Sequence, residues 1–283
     1  MRHRHDRNAP GLWHVDTACI DCGAARNVAP GLIVRGGDQS VFARQPETAE
    51  ELAMAWRARL LCPTASVHGE VRNKPPAGLF PEEMTPGVDR LGYNAKASYG
   101  AHSFLIRREG ANAMVDAPRW TRPVVAAIEA QGGLRDIFLT HRDDVADAER
   151  YARHFLTRVW IHAADRNAAP FATDILEGEG ATRIDDGWLA IPVAGHTQGS
   201  VAYLYYGHCL FTGDSLAWSF EQQDLTAFRD ACWFSWAAQI RSLRWLLDYR
   251  FDWVLAGHGG SRHLPPEEMH RRLLRLLDRM EQQ

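Results

Sequence analysis

The chain has 283 residues, 46% hydrophobic and 24% charged, enough to bury one large core or one large and one small. A net charge of −3 argues against a broad nucleic-acid surface, and no run approaches the ~20 apolar residues of a membrane-spanning helix. The opening Met1-Arg2-His3-Arg4-His5-Asp6-Arg7 lacks the apolar segment of a secretory signal, so a soluble, cytoplasmic protein is expected.

Residues 12–67 read as a compact unit. Trp13-His14-Val15-Asp16 is a short extended run, followed by Cys19-Ile20-Asp21-Cys22-Gly23. Ala29-Pro30-Gly31-Leu32-Ile33-Val34, a Gly36-Gly37-Asp38 turn and Ser40-Val41-Phe42-Ala43 come next. Thr48 with Glu51 makes a capping box for a helix to about residue 61, closed by Cys62-Pro63. Cys-x-x-Cys followed at a distance by Cys-Pro resembles a single-cluster bacterial-type ferredoxin, a small α+β fold whose four thiolates hold an iron–sulfur cluster. The third cysteine of that pattern falls at position 25, which is Ala25. The remaining thiolates, Cys19, Cys22 and Cys62, leave three readings open. They could hold a [3Fe-4S] cluster, hold a [4Fe-4S] cluster with a non-cysteine fourth ligand, or mark a fold kept without a cluster. A bound cluster would imply a redox partner. A thioredoxin-like dithiol is disfavoured, because no βαβ context surrounds the motif. Cys209 and Cys232 are expected as buried packing residues.

The ferredoxin-like domain is placed at residues 1–70. Residues 71–97, with Lys74-Pro75-Pro76, Phe80-Pro81 and Thr85-Pro86-Gly87, read as a linker or an ordered wrap. A larger α/β domain occupies 98–283. Strands are expected at 101–106 and 113–116, a helix at 121–130 ended by Gly132-Gly133, and a strand at 136–140 that delivers His141. Helical period follows over 145–155, then a strand at 159–161. Apolar strands then lead to His196, to Asp214 and, after a helix near 236–249, to His258. The basic, Leu-periodic stretch at 271–279 reads as a helix with a solvated face.

Each candidate ligand follows an apolar strand, where loops present chemistry on a rigid scaffold. The landmarks are Thr140-His141-Arg142-Asp143-Asp144-Val145-Ala146-Asp147, Gly195-His196, Gly213-Asp214 and Gly257-His258-Gly259. Their order and spacing resemble the metallo-β-lactamase superfamily, and the resemblance implies an αββα sandwich of α/β class. It also implies a first metal position from His141, Asp143, His196 and Asp214, and a second from Asp214, His258 and an Asp-His pair in the first motif. This chain departs from the family there: Asp143 stands for the second His, and Val145-Ala146 for the Asp-His pair. A two-residue shift makes Asp147 the second-position carboxylate, with Asp144 as the alternative. Asp143 resembles the acidic substitution of the di-iron oxidoreductase branch, and harder oxygen donors favour iron or manganese without excluding zinc.

One or two ions of zinc or iron are therefore expected. The implied activity is hydroxyacylglutathione-hydrolase- or β-lactamase-like hydrolysis of a small-molecule ester, thioester or related substrate by metal-bound hydroxide. The alternatives are an Fe–S/non-haem-iron oxidoreductase and a non-catalytic binding protein. His102, His162, His208 and His263 lack motif context and read as ordinary polar residues. The aromatic tract at 214–218 and 228–236 is assigned to core packing ahead of a pocket wall.

Overall fold

The structure is a computed structural model that describes residues 2–69 and 74–282; the boundary read between 70 and 71 lies outside the described residues. The N-terminal part runs β1 (His14–Val15), α1 (Ala24–Val28), β2 (Ile33–Arg35), β3 (Ser40–Phe42), α2 (Ala49–Leu61) and β4 (Val67–His68). β1 pairs with β4 and β2 with β3, both antiparallel. At the start of α2 the Thr48 side chain accepts from Glu51 N–H, and Glu51 accepts back from Thr48 N–H, satisfying donors that the first helical turn leaves free. Trp13, Leu32, Phe42, Trp56 and Leu61 fill a core of their own, which includes Ala25 and Cys62.

Residues 82–90 fall in the stretch expected to be a linker or an ordered wrap, and they contain regular strand where no regular element was expected. They form a hairpin of β5 (Glu82–Thr85) and β6 (Val88–Arg90), with Gly87 between them at φ 81. Strands this short carry too little alternation to register in sequence; sheet pairing makes them. β6 pairs antiparallel with β7 (Phe104–Ile106). β8 (Ala113–Val115), β9 (Asp136–Phe138), β10 (Arg158–His162) and β11 (Asp174–Leu176) complete a seven-stranded sheet in the order β11-β10-β9-β8-β7-β6-β5. A six-stranded sheet contains β12 (Thr182–Arg183), β13 (Trp188–Pro192), β14 (Val201–Tyr205), β15 (Cys209–Gly213), β18 (Trp253–Ala256) and β19 (Arg262–His263), in that order. β16 (Ala217–Ser219) and β17 (Asp224–Thr226) form a separate pair.

Period-two alternation sorts the strand side chains into layers. Phe104, Ile106, Val115 and Phe138 of the first sheet meet Trp188, Tyr203, Phe211 and Leu255 of the second in a core between the sheets. The intervening Leu105, Met114 and Ile137 face outward, under α3 (Arg122–Ala130) and α4 (Ala148–Phe155). On the far side Ala202, Leu204, Leu210 and Val254 pack beneath α5 (Trp236–Trp245) and α6 (Pro266–Glu281). The result is an αββα sandwich. Arg271, Arg272, Arg275 and Arg279 of α6 pair with Glu268 or Asp224, as the solvated-face reading expects. Among the described residues no helix is long and apolar enough to cross a membrane.

Candidate metal centre

Two hydrogen bonds fasten the end of β9 to the second sheet. Tyr203 Oη donates to Leu139 O at 3.0 Å, and Val201 N–H donates to Thr140 O at 2.8 Å. His141 follows at once and is buried. A 3-10 turn over Arg142–Asp144 comes next; at three residues per turn it brings Asp144 over His141. Asp165 ties this turn to the loop of the second histidine, accepting from Arg142 N–H at 3.0 Å and from Thr197 Oγ1 at 2.5 Å. A Cβ on Gly199 would lie 2.6 Å from Asp165 Cγ, so this close approach requires glycine.

Both imidazoles have their tautomers set from outside. Asp116, at φ 51 after β8, accepts from Thr140 N–H at 2.8 Å and from Thr140 Oγ1 at 2.9 Å. With its proton committed to Asp116, the Thr140 hydroxyl accepts from His141 Nδ1 at 3.0 Å. His196 Nδ1 donates to Ala231 O at 2.5 Å. Each ring therefore turns an Nε2 lone pair inward, which is how ligating histidines are commonly oriented. Asp214 Oδ2 lies 3.8 Å from His141 Nε2 and 3.6 Å from His196 Nε2. Asp143 Oδ2 approaches from the half-exposed side, at 4.0 and 3.4 Å.

A second donor group shares Asp214. Ligand atoms of Asp144, Asp214 and His258 lie within 4.8 Å of one another, as do those of His141, His196 and Asp214. His258 Nδ1 faces both Asp214 oxygens at 2.8 and 2.9 Å, and its Nε2 donates to Tyr99 O at 3.3 Å. A Cβ on Gly257 would meet Asp144 Oδ2 at 2.9 Å and Asp214 Oδ1 at 3.1 Å.

The donor set fits a divalent cation. His141 Nε2, His196 Nε2 and both Asp144 oxygens are buried without a hydrogen-bond partner, an arrangement that costs free energy unless a cation or proton supplies the missing interaction. Tetrahedral ligands at ~2.0–2.1 Å from zinc stand roughly 3.3 Å apart, close to the spacings of the first group. Charge points the same way. Burial, reinforced by Asp214, Asp116 and Asp143, lifts the Asp144 carboxyl well above its usual range. Burial likewise pushes Asp116 up to about 8, against the lowering effect of its two Thr140 hydrogen bonds. Burial lowers His141 to about 4 although Asp214 pulls the other way. The Asp214 carboxyl is held low, because His258, His141 and His196 outweigh its burial.

Of the residues expected from sequence, His141, Asp143, His196, Asp214 and His258 come together. Asp147 does not, and this is corrected: its carboxylate accepts from Trp120 N–H at 2.6 Å, at the N-terminus of α4. Asp144, the alternative carboxylate, lies instead beside Asp214 and His258. Asp116 was missed, although an Asp closing the apolar Ala113-Met114-Val115 run was a signal. His102, read as ordinary, is buried with Nε2 unpartnered, and its N–H donates to Gly257 O at 2.8 Å. Cys209 is buried as expected. Cys232 is only half-buried and donates its thiol to Gly195 O at 3.1 Å. The aromatic tract divides: Trp218 is core, whereas Trp233 and Phe234 are 62% and 49% exposed, and Trp233 lies 6.2 Å from the His196 ring. Tyr99, 54% exposed, stands 6.1 Å from the His258 ring, so aromatic side chains flank both imidazoles.

In the N-terminal part Cys19, Cys22 and Cys62 are free thiols. Burial, only partly offset by Ala24 N–H, pushes the Cys22 thiol up to about 12, with Cys62 and Cys19 adding to the rise.

Comparison with known proteins bears on the fold. A crystal structure of the DIM-1 metallo-β-lactamase exposed to ceftazidime superposes with a TM-score of 0.54 at 17% identity, covering 70% of this chain and 95% of that one. ETHE1 from Myxococcus xanthus gives a TM-score of 0.50 at 18% identity, covering 68% and 84%. The larger domain has the metallo-β-lactamase fold. Residues 15–69 match the family described as the 4Fe-4S single cluster domain of ferredoxin I. A hydroxyacylglutathione hydrolase of Fuscovulum blasticum is 38% identical over 121 residues, 40% of this chain and 47% of that protein. The chain thus spans about half the length of the curated relatives it matches.

Proposed function

We propose that the chain is a metal-dependent hydrolase of a small-molecule ester or thioester, with its centre at the strand ends of the metallo-β-lactamase fold. The observation that carries this reading is the pair of inward-facing, unpartnered Nε2 atoms on His141 and His196 beside the shared carboxylate of Asp214. His141, His196, Asp214 and Asp143 would hold a first ion, and Asp144, Asp214 and His258 a second. A divalent ion there supplies Lewis acidity toward a substrate carbonyl and lowers the pKa of a coordinated water. Thr140 and Ala231 O keep the Nδ1 protons on the far side of the two rings, so both Nε2 atoms stay available as ligands. Asp143 closes the solvent side, while Trp233 and Tyr99 border the approach of the substrate. Two imidazoles with two carboxylates suit zinc or iron, and the carboxylate-rich second position leans toward a hard cation such as iron or manganese.

The hydroxyacylglutathione hydrolase name carried by the curated relatives makes a hydroxyacyl thioester the first substrate to try. Cys19, Cys22 and Cys62 are one thiolate short of a four-cysteine cluster, with Ala25 packed in the core at the missing position, and the hydrolytic reading does not involve one. The test is anaerobic purification with metal and acid-labile sulfide analysis, alongside thioester turnover. One or two divalent ions per chain with hydrolysis are expected. His196→Ala should lose most bound metal, and its activity should fall by more than the roughly 10–100-fold that loss of an outer-shell partner costs. Unchanged metal content in that variant, or negligible metal after reconstitution, would overturn the assignment. Iron with stoichiometric sulfide would favour an oxidoreductase instead.

A further inference from the structure

Residues 94–102 form a strap between the cysteine loop and the metal centre. At one end Asn94 N–H donates to Leu61 O at 3.1 Å, next to Cys62. At the other, His102 N–H donates to Gly257 O at 2.8 Å, next to His258. The middle of the strap is a tight turn. Tyr99 takes φ 51 and Gly100 φ 90, and Asn94 Nδ2 donates to Gly100 O at 2.7 Å. A non-glycine residue in the left-handed region is held there by its surroundings, at a cost.

Tyr99 touches both parts of the molecule. Its hydroxyl donates to Ile20 O, between Cys19 and Cys22. Its carbonyl accepts from His258 Nε2. Gly100 presses on the same cysteine loop, since a Cβ there would lie 2.8 Å from Cys22 Sγ and 3.0 Å from Pro63 Cγ. With Nε2–H held by the Tyr99 carbonyl, Nδ1 is the nitrogen left to face Asp214, to which it donates at 2.8 Å; a cation at the second position would take the place of that proton.

We propose that Tyr99 is a positioning residue through which the N-terminal domain sets His258 for the second metal position. The inference rests on the two-position centre proposed above. It gives the small domain a role that needs no cluster: its cysteine loop anchors the phenol ring, and the ring's own backbone orients a ligand in the other domain. By linkage, whatever binds or modifies Cys22 displaces Gly100 and alters second-position affinity, and metal at that position alters access to Cys22.

Manganese titration of the full chain, followed by loss of the free-ion electron paramagnetic resonance signal, tests this. Mn2+ suits carboxylate and imidazole donors, and soft thiolates do not compete for it. The wild type is expected to take up two equivalents. Tyr99→Phe keeps the ring but removes the tie to Ile20, and should weaken one equivalent about fivefold, the value of one net hydrogen bond, leaving the other unchanged. Gly100→Ala, strained at its positive φ and crowded by Cys22, should weaken the same equivalent about tenfold. Asp144→Asn should remove that equivalent, and adding Tyr99→Phe to it should change nothing further. Two unaltered equivalents in both strap variants, or equal weakening of both equivalents, would overturn the proposal while leaving the hydrolase reading intact. A wild-type chain that takes up no metal would sink both.

Discussion

Asp144 and Asp147 are three positions apart and have opposite surroundings. Asp144 is buried with neither oxygen hydrogen-bonded, whereas Asp147 has an amide donor at 2.6 Å. Asp144→Asn is therefore expected to cost one metal equivalent by elemental analysis. Asp147→Ala should retain the full metal content and lose about 1–2 kcal/mol of stability in urea unfolding, because it removes a charge-assisted hydrogen bond. Equal metal loss in both variants would show the second position to be misplaced. Spacing alone could not choose between these residues. Counting along the motif admits a shift of two, and only the 3-10 geometry of residues 142–144 decides which carboxylate faces inward. His141, His196, Asp214 and His258 were legible for the opposite reason: each stands at the end of an apolar run, so its position needs no knowledge of loop geometry. Asp116 went unread because its role passes through Thr140, a contact between strand ends that are distant in sequence.

Between elements, Asp185 stands on the turn leading into β13 and reaches across to the first sheet. It takes hydrogen bonds from Arg108 at 2.8 Å and Arg135 at 2.7 Å, as well as from Gly187 N–H at 2.8 Å. Burial works against its charge, but the bonds from Arg135, Gly187 and Arg108 prevail and bring the carboxyl down to about 2. An unfolded aspartate titrates near ~3.9. The contribution is thus fully present above that value and is lost as pH falls through 4 toward 2. Asp185 and its two arginine partners are each partly exposed, so solvent screening brings the expected scale down to about 1 kcal/mol. Asp185→Asn should lower the urea midpoint at pH 7, and its difference from the wild type should close between pH 4 and 2. A difference that persists at pH 2 would assign the loss to packing instead. The capping box of α2 and the apolar strands could be read in advance because each is a local pattern. The β5–β6 hairpin could not, since strands of four and three residues owe their state to the neighbour they pair with.

On the scale of the whole molecule, metal binding and folding are linked. Free metal at a hundredfold excess over Kd stabilises the folded state by about 2.7 kcal/mol, worth roughly 5–10 °C for a domain of this size. A chelator should lower the calorimetric midpoint of the wild type by that amount and leave His196→Ala nearly unmoved. Equal shifts in the two proteins would locate the stabilising ion elsewhere, with the cysteine loop as the next place to look. The hairpin of residues 82–90 also limits how this chain can be divided. A fragment starting at residue 98, where composition suggests a domain begins, would lose β6 and expose the backbone of β7 along the rim of the sandwich, an open template for aggregation. It would also lose Asn94, which braces the turn beneath His258. A fragment that keeps the native pairing of β7 with β6 and of β6 with β5 starts before Glu82, so a cloning boundary that respects this sheet lies well upstream of the point where composition suggests a domain begins.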